Sequence, residues 1–480
     1  MDALLIDGKL VGAASGETFP NINPATEESI GVTADAGPED VDRAVAAARR
    51  AFDNTDWSTN HELRARCLEQ LRLALHEHKE TLRDILVREA GVPVMLTQSI
   101  WLDGILDGLT YWRDLALSYP FEQDLGVGDT FLGPARRRIH REPAGVVAAI
   151  TPWNYPLALN LFKIATAMAA GCTVVLKPAP DTPWSATEIG RLIAEQTDIP
   201  AGVVNIIAAS GRSAGEMLTT DPRVDLVTFT GSSATGRRIM TSAADTLKNV
   251  CLELGGKSAD IVLDDADLPA VIGAGLAVCS HAGQGCALST RMLLPRSRYE
   301  EAVEIATAAF GQVHCGDPSD PTVICGPLIN ASQLSRVLGY IEKGRSEGRV
   351  LVGGDLPADR PKGFFVQPTL FADVDPDATI AQEEIFGPVL TLIPYEDDDD
   401  AVRIANHSPY GLSGAVHSAD DERALGVARR IRTGTISVNG GSWFGADLPF
   451  GGYKQSGVGR EFGVQGFEEY LETKVIGLPA

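Results

Sequence analysis

The run Ser280-His281-Ala282-Gly283-Gln284-Gly285-Cys286-Ala287 sets a cysteine directly behind two glycines and a glutamine. Only small residues flank the sulfur, and glycine lets the backbone take shapes that other residues resist. A thiol on such a turn can attack a carbonyl carbon, provided its surroundings favour the thiolate. Taken alone, Cys286 is more simply read as a buried apolar side chain, because free cysteines are among the most buried residue types.

Other stretches carry side chains suited to the same reaction. Thr151-Pro152-Trp153-Asn154-Tyr155-Pro156-Leu157 falls where a strand hands over to a helix. Its Asn154 amide either donates to a developing oxyanion or caps the helix. Lys177, in Lys177-Pro178-Ala179-Pro180, ends another strand and meets either ribose and phosphate or plain solvent. Phe229-Thr230-Gly231-Ser232-Ser233-Ala234-Thr235-Gly236 reads as strand, turn and helix start, where free N–H groups hold phosphate. Its G-x-x-x-x-G spacing differs from the usual G-x-G-x-x-G. Glu253, in Leu252-Glu253-Leu254-Gly255-Gly256-Lys257-Ser258, sits between leucines. It is either a general base with a raised pKa or a carboxylate paired with Lys257. The stretches containing Glu384, Phe386 and Phe450 each put an aromatic beside glycine, which apolar packing explains equally well.

The elements that must position these groups alternate. From residue 145 onward, short β-branched runs at Gly145–Thr151, Thr173–Lys177, Val203–Ile207 and Asp225–Phe229 are separated by helical segments at about 156–170, 183–197 and 212–219. This pattern predicts parallel strands covered on both faces, with ligands at the strand C-termini. A second alternation starts near 256, with strands at 260–263, 291–295, 349–352, 389–393, 412–417 and 434–439. Ahead of both lie short strands over 1–35 and helices from Pro38, over about 59–78, 79–90 and 97–118. Residues 124–145 are basic and lack helical periodicity, so they read as a projecting hairpin, either solvated or facing an acidic partner. The acids Glu396–Asp400 read as a helix start rather than a cation site.

The bulk numbers narrow the function. A chain of 480 residues exceeds one core and implies two or three domains. A net charge of −23 disfavours nucleic acid and anionic membranes. Seven widely spaced cysteines, without zinc spacing, indicate neither a disulfide framework nor a metal site. With no signal-like N-terminus and no apolar run of spanning length, the expectation is a cytoplasmic protein.

Taken in order, these motifs resemble the NAD(P)-dependent aldehyde dehydrogenase superfamily. The likeness runs from Asn23-Pro24-Ala25-Thr26 to the C-terminal strand, and Glu253 stands 33 residues before Cys286. It implies an α/β fold of two doubly wound parallel-sheet domains plus a small β oligomerisation element. Residues 1–124 and 145–255 would bind dinucleotide, with 456–470 packing back on them. Residues 256–455 would be catalytic, and 125–144 with 471–480 would join subunits into a homodimer or homotetramer.

The resemblance also implies roles. Cys286 would be the nucleophile, Asn154 an oxyanion donor and Glu253 the base that activates water. Lys163 and Glu461 would relay protons from that base. Ile150, Thr151, Pro152, Trp153, Lys177, Gly211, Gly215, Gly231, Ser232, Gly236, Leu254, Glu384 and Phe386 would bind NAD, with NADP possible. Tyr155, Leu159, Phe162, Ala287, Trp443, Phe444 and Phe450 would line a tunnel for hydrophobic, aromatic or medium-chain aldehydes. Pro180 departs from the family's common glutamate, which leaves the choice of NAD or NADP open. Ala209 replaces a frequent glycine, and Ala287 widens the space beside the sulfur. The alternatives are a CoA-acylating semialdehyde dehydrogenase, which Glu253 argues against, and a non-catalytic binding or structural protein on the same scaffold.

Overall fold

The computed structural model describes residues 2–480. An eight-stranded sheet runs in the order Gly457–Val458, Asn249–Glu253, Leu226–Thr230, Val146–Ile150, Thr173–Lys177, Val204–Ile206, Leu4–Ile6 and Lys9–Val11. Its five inner strands are parallel, and the strands at both edges are antiparallel. The inner strands are apolar on both faces because helices cover each side. The expected parallel sheet is therefore the centre of a mixed one. Its edges come from the two ends of the chain, where no crossover helix forces a parallel partner.

A second sheet has seven strands in the order Arg349–Val352, Thr369–Ala372, Val389–Tyr395, Ser289–Pro295, Ser258–Val262, Gly414–His417 and Ser437–Val438. Only the first pair is antiparallel. Strand Thr369–Ala372 was not expected. Its four fully buried residues sit between the Phe365-Val366 segment and a turn at Asp373, where φ is 58°. A third sheet of three strands joins Glu122–Thr130, Gly133–Pro143 and Leu471–Pro479.

Local signals explain several helix ends. Helix Pro38–Asn54 opens on proline with Glu39 and Asp40 in its first turn. Helix Asp398–Asn406 is capped by Asp397, whose side chain accepts from the Asp400 N–H, and three of the acids occupy its first turn. The helix expected over 97–118 is broken. A 3-10 turn spans Val94–Gln98, and the regular helix covers Asp103–Ser118. The Ser99 carbonyl accepts from both Leu102 and Gly104 N–H, closing a turn between the two pieces. Trp101 lies in that turn, ahead of the regular helix.

In the first sheet the chain leaves Val146–Ile150 toward Thr173–Lys177 on one side, while Leu226–Thr230 lies on the other. That reversal opens a crevice beyond the strand C-termini, the general place for a ligand in an open α/β sheet. The second sheet offers its opposite edge. Gly255–Lys257, Cys286 and Glu384–Pro388 come just before the strands starting at Ser258, Ser289 and Val389. The expected placement of ligands at strand C-termini was made for the first sheet; the second sheet instead turns the N-terminal ends of its strands toward these residues.

Candidate active site

The cysteine turn is held in a shape the sequence alone does not dictate. A 3-10 segment, Leu276–Gly283, contains three consecutive left-handed residues, with φ of 49° at His281, 53° at Ala282 and 73° at Gly283. The last position needs glycine twice over, since a Cβ there would stand 2.1 Å from the Gly387 carbonyl oxygen. Strain of this kind persists only where surrounding bonds over-determine it. Gln284 supplies them: its Nε2 donates to the His281 and Pro327 carbonyls at 3.0 and 3.2 Å, and its Oε1 accepts from Ile329 N–H at 2.9 Å. The His281 N–H donates to the Ile324 carbonyl at 2.9 Å. Gln284 was part of the quoted motif, but its bracing role was missed. The only hint was one long polar side chain among small residues.

Asn154 joins this turn directly. Its Nδ2 donates to the Gln284 carbonyl at 2.8 Å. An amide carries two N–H bonds, so one remains for a substrate oxygen near Cys286. Helix Pro156–Ala170 has no side-chain cap at its start, so the capping alternative for Asn154 is set aside. Cys286 is half-buried, and burial, reinforced by the Glu384 and Glu253 carboxylates, pushes its thiol up to about 12. Among the described residues, the charged groups acting on it are carboxylates, so the thiolate-favouring surroundings that the reaction requires are not supplied by a neighbouring cation.

Glu253 is buried, and neither carboxylate oxygen has a hydrogen-bond partner among the described residues. Burial raises its pKa well above the usual range, and the Glu461 carboxylate raises it further, against Lys163 and Arg460. The alternative pairing with Lys257 is absent, since the Lys257 ammonium also lacks a partner. Lys163 is bound to Glu461, and it donates to Thr228 Oγ1 at 2.8 Å. The two residues expected to relay protons are together, but Glu253 bonds to neither.

Cys286, Asn154, Glu253 and Glu461 open on one cavity of about 640 Å³. At one end lie Pro152, Trp153, Gly231, Ser232, Leu254, Glu384 and Phe386. Trp153 and Phe386 meet edge to face at 5.4 Å, joining the two sheets across the crevice. Glu384 Oε1 accepts from Gly256 N–H at 2.9 Å. Ser232 caps helix Ser233–Ala243, whose N-terminus points into this end. Ile150, Lys177 and Gly215 cluster farther along, where a Cβ on Gly215 would lie 3.7 Å from Lys177 Cδ and 3.9 Å from Ile150 Cδ1. Lys177 is buried, not solvated, and that burial lowers its pKa to about 8. Thr151 spends its hydroxyl on Asn160 at 2.6 Å, Gly236 packs on Leu254, and Gly211 is exposed in a loop.

At the other end Tyr155, Leu159, Phe162, Ala287, Trp443, Phe444 and Phe450 form the wall. Trp443 stacks on Phe450 at 5.8 Å, with Phe444 edge-on to Phe450 at 6.0 Å. Two aromatic members were missed. Trp101 stacks on Tyr155 at 4.7 Å, and Phe462 meets Phe162 at 4.4 Å. Trp101 was hidden by the assumed continuous helix, while Phe462 directly follows the selected Glu461.

Such an arrangement presents a thiol, an amide donor and an unpaired buried carboxylate around one apolar pocket. It suits attack on an aldehyde followed by hydrolysis of an acyl-cysteine. The aldehyde dehydrogenase family model matches residues 11–476. The 3-succinoylsemialdehyde-pyridine dehydrogenase of Pseudomonas sp is 42% identical over 480 residues, covering 98% of this chain and 97% of that protein. A crystal structure of Mycobacterium tuberculosis aldehyde dehydrogenase complexed with NAD+ is 43% identical, with a TM-score of 0.95, covering 100% of this chain and 98% of that one. A mutant of aldehyde dehydrogenase C from Pseudomonas syringae, complexed with NAD+ and octanal, is 40% identical with a TM-score of 0.93, covering 99% of this chain and 96% of that one. On this evidence the chain belongs to the aldehyde dehydrogenase family.

Proposed function

We propose that the protein oxidises a hydrophobic aldehyde to the carboxylic acid, with NAD as the hydride acceptor. The observation that carries this reading is the convergence of Cys286, Asn154 and unpaired Glu253 on one aromatic-walled cavity. The chain's residues fit a dinucleotide: Thr230 Oγ1 is buried without a partner at the crevice, helix Ser233–Ala243 points its N-terminus there, and Lys177 lies beyond.

Cys286 enters as the thiol and loses its proton to solvent water before it attacks, which leaves Glu253, strengthened as a base by its raised pKa, free for the hydrolytic step. The sulfur attacks the carbonyl carbon, while the free Asn154 N–H and the Cys286 backbone N–H donate to the oxygen. When bound, the nicotinamide supplies the acceptor for the hydride lost by the adduct, leaving a thioester on Cys286. Glu253 then takes a proton from water, the hydroxide attacks the thioester carbon, and the thiolate leaves as the acid is released. Lys163 and Glu461 carry the proton onward through a water, since neither touches Glu253 directly.

The apolar wall and Ala287 favour aromatic or medium-chain substrates; octanal in the Pseudomonas syringae complex agrees with this. Residues 1–124 and 145–255 act as the dinucleotide-binding domain, with 456–470 against it, and 256–455 as the catalytic domain. The hairpin and final strand join copies of the chain. Seven free cysteines suit a reducing cytoplasm. The test is absorbance at 340 nm with NAD and an aldehyde panel. Octanal or benzaldehyde should give reduced cofactor, and no signal with any aldehyde from folded protein would contradict the reading.

A further inference from the structure

Pro180 departs from the family's common glutamate, and the structure gives it another use. The Thr182 N–H donates to the Ala179 carbonyl at 3.3 Å, closing a four-residue turn on the lip that starts at Lys177. Proline suits the second place of such a turn because its φ is already set. The third place falls to Asp181, whose Oδ1 accepts from Asn330 Nδ2 at 2.8 Å. Asn330 stands on the other side of the crevice, in the part of the chain that builds the second sheet.

Asn330 uses its amide in two directions. While Nδ2 reaches Asp181, Oδ1 accepts from the Gln333 N–H at 2.9 Å and so caps helix Ala331–Gly344. That helix grips the loop carrying Glu384 and Phe386. Arg336 donates to the Glu384 carbonyl and, at 3.4 Å, to the Ile385 carbonyl. Val337 lies against Gly387, where a Cβ would stand 2.6 Å from the valine Cγ2. The residue before Asn330 braces the cysteine turn, since the Ile329 N–H donates to Gln284 Oε1. One hydrogen bond therefore ties the Lys177 lip of the first sheet to the Glu384 loop of the second.

We propose that the Asp181–Asn330 bond is a latch across the crevice, with Asn330 the positioning residue that fixes the spacing of the two walls for the dinucleotide. Neither residue needs to touch the cofactor for this. The proposal rests on the dinucleotide reading above, in which Lys177 and Glu384 bind NAD from opposite walls. A ligand held from both walls loses affinity once their spacing is no longer fixed, because binding must then order them.

The test is NADH binding to the full chain by calorimetry, without aldehyde, beside steady-state kinetics with octanal. Asn330→Asp keeps a capping oxygen but sets a carboxylate against Asp181, and Asn330→Ser keeps the cap but loses the reach to Asp181. Each should weaken NADH binding by about tenfold and raise KM for NAD alike, with kcat changed less than about twofold. Asn330→Asp combined with Asp181→Asn reverses donor and acceptor, and should return the affinity to within about threefold of wild type. Wild-type affinity in both single variants, even with a lowered melting temperature, would overturn the proposal, as would a double variant that binds no better than Asn330→Asp. No binding of NADH to folded wild type would instead overturn the dinucleotide reading itself.

Discussion

At the scale of the residue, the proposed chemistry turns on a thiol whose surroundings raise its pKa. The charges bearing on Cys286 are carboxylates, Glu384 and Glu253 foremost after burial itself. Because the folded pKa is raised to about 12, the thiolate fraction climbs with pH through the whole neutral and alkaline range. Without dinucleotide, iodoacetamide should therefore label Cys286 slowly near about pH 7, with a rate that rises roughly tenfold per pH unit toward about pH 10. Mass spectrometry of the labelled peptide measures this, the other six cysteines being buried. A rate that levels off by about pH 8 would mean a thiolate-favouring partner exists. Sequence reasoning could name Cys286, Asn154 and Glu253, because each sits in a motif. It could not see the thiol's electrostatics, which depend on groups from three distant segments.

At the scale of the element, the site depends on turns whose geometry the sequence hints at only through glycine. Gly283 sits at φ 73° with a carbonyl 2.1 Å from where its Cβ would be. Gly283→Ala should thus lower the melting temperature and depress turnover by more than about tenfold, because moving Gly387 displaces the Phe386 loop and the cysteine turn together. Gly339→Ala is the matched contrast. It lies within helix Ala331–Gly344, and a Cβ there meets nothing within 4 Å. That change should stabilise by up to about 1 kcal/mol. Thermal melts of both variants compare them, and equal behaviour would contradict the role given to the turn. Helices such as Lys79–Ala90, ending at left-handed Gly91, were legible because their caps and apolar faces are local. The break around Trp101 was not legible, because the bonds to the Ser99 carbonyl are made in space.

At the scale of the whole molecule, two sheets meet over one cavity and a third stands apart from it. The inner parallel strands were legible as apolar runs between helical segments. The edges were not, since pairing of Leu5 with Ile206 or Glu253 with Gly457 leaves no mark in either local sequence. The third sheet exposes Val127, Phe131, Leu132 and Val475, with Phe131 and Leu132 wholly open to solvent at the hairpin tip. Exposed apolar groups of this kind mark contact surfaces. Replacing Phe131 and Leu132 together with serine should shift size-exclusion and light-scattering masses toward smaller species, with circular dichroism unchanged. An unaltered mass would remove the hairpin tip from the proposed subunit contact.

The central claim is that Glu253 releases an acyl group that Cys286 has captured. Rapid mixing of Glu253→Gln with NAD and octanal, followed at 340 nm, tests it most directly. The expected trace is a burst of reduced cofactor approaching one equivalent per active site, then a stall, with acylated Cys286 recovered by mass spectrometry. Steady turnover at the wild-type rate, with no trapped acyl group, would contradict the account.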